Sequence, residues 1–199
     1  MLYEVAHIIK DKFGFLWDIV EWGNAAIFGV IHKKELKAIP DILKDCSNDS
    51  FTVRMTTHED VIPLVLFFKE QPEDAFKFFK PHGFDEKSIL KVLKNKAFMT
   101  FVIIERDKIV GYFFLRSFIN GKCFRGKIVD KNNQGRGIAK LMGRAMTEVS
   151  KCLGLRMFGS ISPDNYSSMA SAKASNDIKI LKTLDNGYYY IEFLPKENT

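Results

Sequence analysis

The sequence predicts a mixed α/β fold, in which a central, mostly antiparallel sheet is flanked by helices and preceded by a helical extension. Residues 1–45 carry apolar side chains at helical spacing, whereas strand-like segments begin at Phe51. The dipeptides Asn120-Gly121 and Asn186-Gly187 each separate two strand-like segments, which is typical of antiparallel hairpins. Helical and strand-like segments then alternate to the end of the chain, which predicts a sheet with helices packed on it.

A polar, turn-rich segment at 45–50 divides the chain into two predicted parts, a helical extension over 1–48 and a domain over 49–199. In the extension one apolar set shares a helical face: Phe13, Leu16, Trp17, Val20, Ile27 and Ile31. A second apolar set covers another face: Phe15, Ile19, Trp22, Ala26 and Val30. Asp18, Glu21 and the flanking lysines disfavour a spanning helix, and the acidic residues also disfavour a secretory signal.

Three roles stay open for residues 1–45. The segment packs on the main domain or on a second subunit in a homodimer, lies in a membrane interface with its tryptophans inward, or recruits another protein.

Within the domain, local signals mark the ends of the elements. Thr57 and Asp60 form a partial capping box before a helix, and Gly154 ends a long helix. The predicted strands cover 51–55, 98–105, 109–117, 122–130, 155–161, 178–184 and 188–194. The predicted helices cover 61–70, 72–79, 85–95, 138–153 and 165–175. This order of elements predicts mostly antiparallel pairing.

Composition narrows the classes of partner. The net charge is +6, which suits an anionic partner, but the basic residues are spread along the chain and do not predict nucleic-acid binding. The three cysteines have no metal-like spacing and the four histidines are scattered, so we predict no metal site. The odd cysteine count favours reduced thiols and a cytoplasmic protein, with peripheral membrane contact left open.

The segment from Gln134 to Ala139 is the most informative part of the chain. It contains two glycines and lies between a strand-like segment and a long helical one. Glycines let the backbone approach a phosphate, several N–H groups point the same way, and the helix dipole favours negative charge. The Rossmann fingerprint is absent, and no Gly-Lys-Ser/Thr follows as in a P-loop.

The order Gln-x-x-Gly-x-Ala resembles the acetyl-CoA pyrophosphate loop of the GNAT N-acetyltransferase family, which is Arg/Gln-x-x-Gly-x-Gly/Ala. The element order from Phe51 to Leu194 resembles that family as well. The resemblance implies direct transfer of an acetyl group from acetyl-CoA to a primary amine. It also implies that strand 122–130 splays from strand 155–161 to admit the cofactor. The implied cofactor-binding residues are Ile128, Val129, Gln134, Gly135, Arg136, Gly137, Ile138, Ala139, Asn165 and Ser168.

The acid and the base of the reaction do not carry over from the resemblance. The family's Tyr, seven residues after Asn165, is replaced by Ala172, and no carboxylate lies near Cys123, where some members have a Glu. Asp130 and His82 are the candidate catalytic bases, because a base near neutral pKa assists removal of the amine proton. Cys123 is disfavoured as a nucleophile, because a lone strand cysteine is usually part of a core.

We expect the acceptor to be a small-molecule amine. Residues 79–84 and 111–116 resemble GNAT members of bacterial polysaccharide biosynthesis, which implies a nucleotide-linked amino sugar. Arg116 and Arg125 are the candidate acceptor-binding residues, because they lie on strands and suit an anionic group. Two alternatives stay open: a peptide or protein N-acetyltransferase, and a non-catalytic acyl-CoA-binding module, which the missing Tyr and Glu favour.

Overall fold

A computed structural model describes residues 14–196 of the chain. The six helices of this part are α1 (Gly14–Ile31), α2 (Lys33–Cys46), α3 (Val61–Glu70), α4 (Glu86–Leu93), α5 (Ile138–Cys152) and α6 (Tyr166–Ser175). The strands are β1 (Thr52–Met55), β2 (Phe98–Glu105), β3 (Lys108–Phe118), β4 (Lys122–Val129), β5 (Arg156–Ile161), β6 (Asp177–Thr183) and β7 (Tyr189–Leu194). The predicted helical residues 1–13 lie outside the described part.

The seven strands form one sheet in the order β1-β2-β3-β4-β5-β7-β6. Every neighbouring pair is antiparallel except β4 and β5. The predicted mixed fold with mostly antiparallel pairing is therefore confirmed. Local turn chemistry explains the hairpins: Arg106 and Asp107 both have positive φ between β2 and β3, as a tight hairpin of this kind requires, and Gly121 and Gly187 have φ of +75° and +81° at the next two turns.

Helices cover the two faces of the sheet unequally. On one face α2 and α5 contribute Leu43 and Met142 to a core that also holds Phe113 and Phe193. On the other face α3 and α4 pack over β2, β3 and the end of β4, around Tyr112. The second face of β5 and β7 belongs to neither core, so this part of the sheet is left open.

One predicted helix is wrong. Residues 72–79 form only a 3-10 turn over Glu73–Phe76. The aromatic side chains of this segment have separate partners: Phe76 lies 4.9 Å from the Phe84 ring, whereas Phe78 contacts Tyr188 at 6.3 Å. The two rings therefore pack against different parts of the chain, Phe76 against Phe84 before α4 and Phe78 against Tyr188 before β7.

Helix α1 packs on the domain through polar side chains. Asp18 accepts a hydrogen bond from Lys91 at 2.7 Å, Glu21 pairs with Arg116, and Asn24 donates to a β3 carbonyl at 2.9 Å. Phe28 of α1 is buried in the core, but several other apolar side chains of the helix point outward, and those most exposed are Ile19, Val20, Trp22, Ile27, Val30 and Ile31. None of the described helices is both long enough and apolar enough to cross a membrane.

Candidate functional site

A wedge opens between β4 and β5. The two strands pair over three residues only, from Lys122 with Arg156 to Phe124 with Phe158. Beyond Phe124, β4 continues to Val129 alongside β3, and β5 turns toward β7. One backbone edge of β4 beyond Phe124, including Ile128 and Val129, therefore has no strand beside it. The expected splay of these strands is present.

The glycine turn lies at the wide end of this wedge. Gly135 and Gly137 have φ of +76° and +81°, and a Cβ built on either residue would meet no atom within 4 Å. Gly137 is the N-cap of α5 and provides no capping side chain. The first N–H groups of a helix have no partner inside the helix, and its dipole is positive there. The turn therefore fits a diphosphate, with open space above its backbone and uncapped donors.

The polar side chains of the turn have different surroundings. Gln134 is exposed. The Arg136 guanidinium donates to both carboxylate oxygens of Glu105, at 2.6 and 2.8 Å, and to Asn133 at 2.5 Å. Arg136 thus joins the turn to the β2–β3 hairpin. Its positive charge is already paired with the Glu105 carboxylate in the absence of a ligand.

Asn165 lies at the other wall of the wedge, between β5 and α6. Its side-chain oxygen accepts a hydrogen bond from the backbone N–H of Ser168 at 3.0 Å, so it caps α6. Ala172, at the position of the family's Tyr, is buried, and Tyr166 is 78% exposed. The wall of the wedge that α6 forms therefore has no hydroxyl group at the position of the family's Tyr, which is Ala172 in this chain.

Two cations from β4 point into the wedge. Arg125 donates to the Asn176 side chain at 2.8 Å and lies 3.4 Å from the centre of the Phe193 ring.

Lys127 donates to the Ala139 carbonyl at 2.8 Å and to the Ser171 hydroxyl at 2.6 Å. Burial lowers the pKa of Arg125, which keeps its charge at neutral pH, and burial with that charge lowers the pKa of Lys127 to about 7. Lys127 was not singled out from the sequence, although its alternation with the buried Cys123 could have indicated it.

Asp130 ends β4 next to the turn. One carboxylate oxygen accepts a hydrogen bond from Gln71 at 3.0 Å, and the other accepts from Asn133 at 2.5 Å. Gln71 also accepts from the backbone N–H of Lys131 at 3.1 Å, so these residues join the end of α3 to the turn. The carboxylate keeps further acceptor sites, because each oxygen has two lone pairs.

His82 lies on the other face of the sheet, beneath α3 and α4. Its Nδ1 is 2.6 Å from the Gly83 carbonyl, so that nitrogen carries the proton, and its Nε2 is 2.7 Å from the Tyr112 hydroxyl, which donates to it. Burial lowers the pKa of His82, which favours this neutral form. His82 and Arg116 line the same cavity of about 420 Å³, between α1 and α4 and away from the glycine turn.

The open face of the sheet carries a row of aromatic side chains that sequence reasoning missed. The row runs Phe118, Phe124, Tyr190 and Phe158, with neighbouring ring centres 5.6–6.2 Å apart; Phe124 is exposed, whereas Phe158 is buried beneath its neighbours. Lys122 and Arg156 lie over the Phe158 ring at 5.6 and 5.2 Å. These side chains meet at the narrow end of the wedge, because Phe124 and Phe158 form its last strand pair.

Solved structures with the same arrangement of elements are acetyltransferases. A GNAT-family acetyltransferase from Streptococcus pneumoniae is 14% identical to this chain in sequence. Its alignment covers 73% of this chain and 99% of that one, with a TM-score of 0.59. A ribosomal-protein-S5-alanine acetyltransferase from Vibrio fischeri is 14% identical, with 76% and 96% covered and a TM-score of 0.60. An aminoglycoside acetyltransferase in complex with coenzyme A is 14% identical, with 73% and 95% covered and a TM-score of 0.58.

The chain has the GNAT fold. No protein-family model matches its sequence, and no curated protein matches it. The GNAT fold is therefore recognised here from the three-dimensional arrangement, together with the short sequence signal of the glycine turn.

Within this GNAT fold, the structure brings most of the predicted cofactor residues to one place. The turn, the free edge of β4 and the start of α6 surround the wedge. Arg125 lies inside the wedge, whereas Arg116 and His82 lie in the separate cavity beside α1. Cys123 is fully buried and burial raises its pKa to about 12, which disfavours a nucleophilic role. Among the described residues, no group of three His, Cys, Asp or Glu side chains could hold a metal ion.

Proposed function

We propose that the protein is an acetyl-CoA-dependent N-acetyltransferase that transfers the acetyl group directly to a primary amine. One observation carries the proposal: the wedge between β4 and β5 opens beside a helix that begins with two left-handed glycines and uncapped N–H groups. The solved structure of an aminoglycoside acetyltransferase with the same fold contains coenzyme A, which supports this ligand class.

The proposed cofactor contacts follow from the wedge. The backbone N–H groups that would hold the diphosphate, as the resemblance implies, are those of Gly135, Arg136, Gly137, Ile138 and Ala139. The free edge of β4 at Ile128 and Val129 would pair with the amide groups of the pantetheine arm, as an added strand would. Asn165 and Ser168 would contact the arm from the other wall, and Gln134 would add a side-chain contact at the turn.

Between the two candidate bases, we propose that Asp130 be tested first. Both ring nitrogens of His82 are already hydrogen-bonded inside the protein, and its cavity is separate from the wedge. Asp130 lies beside the turn and retains acceptor sites for a water molecule that could relay the amine proton. Loss of a general base typically lowers kcat by about 10²–10⁴-fold.

For the acceptor, we propose a nucleotide-linked amino sugar bound on the open face. Aromatic side chains stack on planar rings and on the apolar faces of sugars, and the exposed Lys122 and Arg156 suit a diphosphate. The Arg156 guanidinium also donates hydrogen bonds to both carboxylate oxygens of Glu192, at 2.7 and 3.0 Å. The negative charge that Glu192 brings to this face is therefore paired. A basic, aromatic surface disfavours a polyamine acceptor.

Turnover of acetyl-CoA with a panel of amines tests this function. We expect the highest kcat/KM with nucleotide-linked amino sugars, and lower values with peptides and spermidine. A preference for peptide N-termini or lysines would favour the peptide or protein N-acetyltransferase instead. Saturable acetyl-CoA binding without turnover of any amine would favour the non-catalytic acyl-CoA-binding module.

A second proposal concerns α1, and the observation that favours it is the outward apolar face. We propose that this face contacts an anionic membrane peripherally. Trp22 and Val30 are 73% and 76% exposed, while the acidic residues of the helix are turned toward the domain. Lys33 and Lys34 are exposed and follow the apolar face within one turn, which suits anionic lipid. A homodimer through the same face is the alternative.

A further inference from the structure

Lys127 connects three elements around the wedge. It starts from β4, its amine reaches the Ala139 carbonyl in the first turn of α5, and it also reaches the Ser171 hydroxyl in α6. Both acceptors are uncharged. The lysine side chain therefore spans the space between α5 and α6, directly below the glycine turn.

The surroundings of this amine do not favour a positive charge. Arg125 is the charged group that faces it from β4, and its charge opposes that of an ammonium. Helix α5 presents the Ala139 carbonyl and Gly143, and α6 presents Ser171.

The charged residues of α5 and α6 near these positions are basic and exposed: Lys140, Arg144 and Lys173. Among the described side chains, Lys127 forms no salt bridge. Burial and Arg125 accordingly lower its pKa to about 7.

An anion at the glycine turn would change this balance. Ala139 is the second residue of α5, so the Lys127 amine lies within one helical turn of the N–H groups that would hold a diphosphate. A negative charge at that distance in a partly buried site favours the protonated amine. Binding of the anion and binding of a proton then assist each other, because the two are thermodynamically linked.

We propose that Lys127 is a proton-linked positioning residue for acetyl-CoA: the neutral amine holds α5 and α6 together in the free protein, and the cofactor diphosphate binds with uptake of one proton by this amine. The proposal rests on the proposed function, since it takes acetyl-CoA as the ligand of the wedge. It assigns to Lys127 no contact with the reacting atoms.

The test is calorimetric titration with acetyl-CoA at pH 8, in two buffers of different ionisation enthalpy, HEPES and Tris. The phosphates of the ligand are already fully ionised at this pH, because their last pKa is about 6. We expect the wild-type protein to take up between about a half and one proton per acetyl-CoA bound. The affinity should fall above pH 7.5, by up to about tenfold per pH unit.

Two variants and a control separate this linkage from a structural role. Lys127→Met keeps the length of the side chain without a titratable group, and Lys127→Arg keeps a charge that does not titrate in this range. Both should bind acetyl-CoA without proton uptake and with a flat pH dependence. Lys140→Met, on the exposed surface of the same helical turn, should keep the proton uptake of the wild type.

The outcomes are distinguishable. Binding of acetyl-CoA to the wild type without proton uptake would overturn the proposal. Proton uptake that persists in Lys127→Met would overturn it as well. Either result would leave the proposed function intact. Failure of the wild-type protein to bind acetyl-CoA at all would overturn both.

Discussion

Lys127 and Arg125 bring two positive charges into a part of the protein where their partners are an amide, a hydroxyl, a carbonyl and an aromatic ring. Burying a cation without an anion costs free energy, which the protein reduces by lowering the pKa of the group. Such residues concentrate at functional sites, because a bound anion can compensate the cost. Their position inside the wedge agrees with an anionic ligand there.

The stability of the free protein should depend on pH through Lys127. Its pKa is about 7 in the folded protein and about 10.4 in the unfolded chain. Between these values the unfolded chain binds the additional proton, so the free energy of unfolding rises with pH, by up to about 1.4 kcal/mol per pH unit from this group. Urea denaturation between pH 7 and pH 10 should show this slope.

Lys127→Met is the variant that isolates this slope. We expect the slope to be smaller in Lys127→Met than in the wild type by close to one proton, and unchanged in the exposed Lys140→Met. Equal slopes in the wild type and Lys127→Met would mean that the lysine keeps an ordinary pKa in the folded protein.

Among the individual residues, the sequence singled out the glycines of the turn but not Lys127. Gly135 and Gly137 were expected to let the backbone approach a phosphate, and both have positive φ with open space around them. The environment of Lys127 depends on α6, because its hydroxyl partner Ser171 is 44 residues away along the chain. No local pattern contains such a contact.

Among the elements, helix α1 differs most from a usual surface helix. Its polar side chains form ion pairs and hydrogen bonds with the domain, and apart from the buried Phe28 its large apolar side chains with described burial face outward. The partners of the polar side chains, Lys91, Arg116 and the Ser117 carbonyl, explain this orientation. The sequence showed two apolar faces but could not show which face would be turned toward the domain.

We expect the double variant Trp22→Ser, Val30→Ser to lose binding to anionic vesicles in a flotation assay, because it removes the two most exposed apolar side chains of α1. The matched control is Ile62→Ser, Leu66→Ser, which changes two exposed apolar residues of α3. If the wild-type protein does not bind vesicles but is a dimer that the α1 variant dissociates, the face is a subunit interface.

Other elements show where sequence patterns suffice. The helix over 61–70 was predicted with its observed bounds, and the capping box at Thr57 and Asp60 is present in the 3-10 turn that directly precedes it. The segment 72–79 was mispredicted because its aromatic residues contact distant partners such as Tyr188. Local capping signals thus determined the first segment, and contacts between remote residues determined the second.

In the whole molecule, the wedge separates two surfaces with different chemistry. The glycine turn and the two half-buried cations lie at its wide end, and the aromatic row lies on the open face at its narrow end. The family resemblance of the sequence implied the splay that forms the wedge. It did not predict the aromatic row, because Phe118, Phe124, Phe158 and Tyr190 come from four different strands.

This separation predicts that acceptor and cofactor binding can be impaired independently. Phe124→Ala should raise KM for the acceptor by about tenfold or more, because an aromatic stack contributes roughly 1–3 kcal/mol. KM for acetyl-CoA should remain near the wild-type value. Ile62→Ala, on an exposed part of α3, is the control. An unchanged KM for the acceptor in Phe124→Ala would place the acceptor elsewhere.

The most direct test of the central claim is calorimetric titration of acetyl-CoA into the wild-type protein and two glycine variants. Gly137→Glu places a side chain and a negative charge where the diphosphate would bind. Gly154→Glu introduces a comparable backbone strain at the other end of α5, since Gly154 also has positive φ and open space around it. We predict saturable binding to the wild type and to Gly154→Glu, and its loss in Gly137→Glu. Absence of binding to the wild type at millimolar acetyl-CoA, or equal binding to all three proteins, would contradict the assignment of the wedge as the cofactor site.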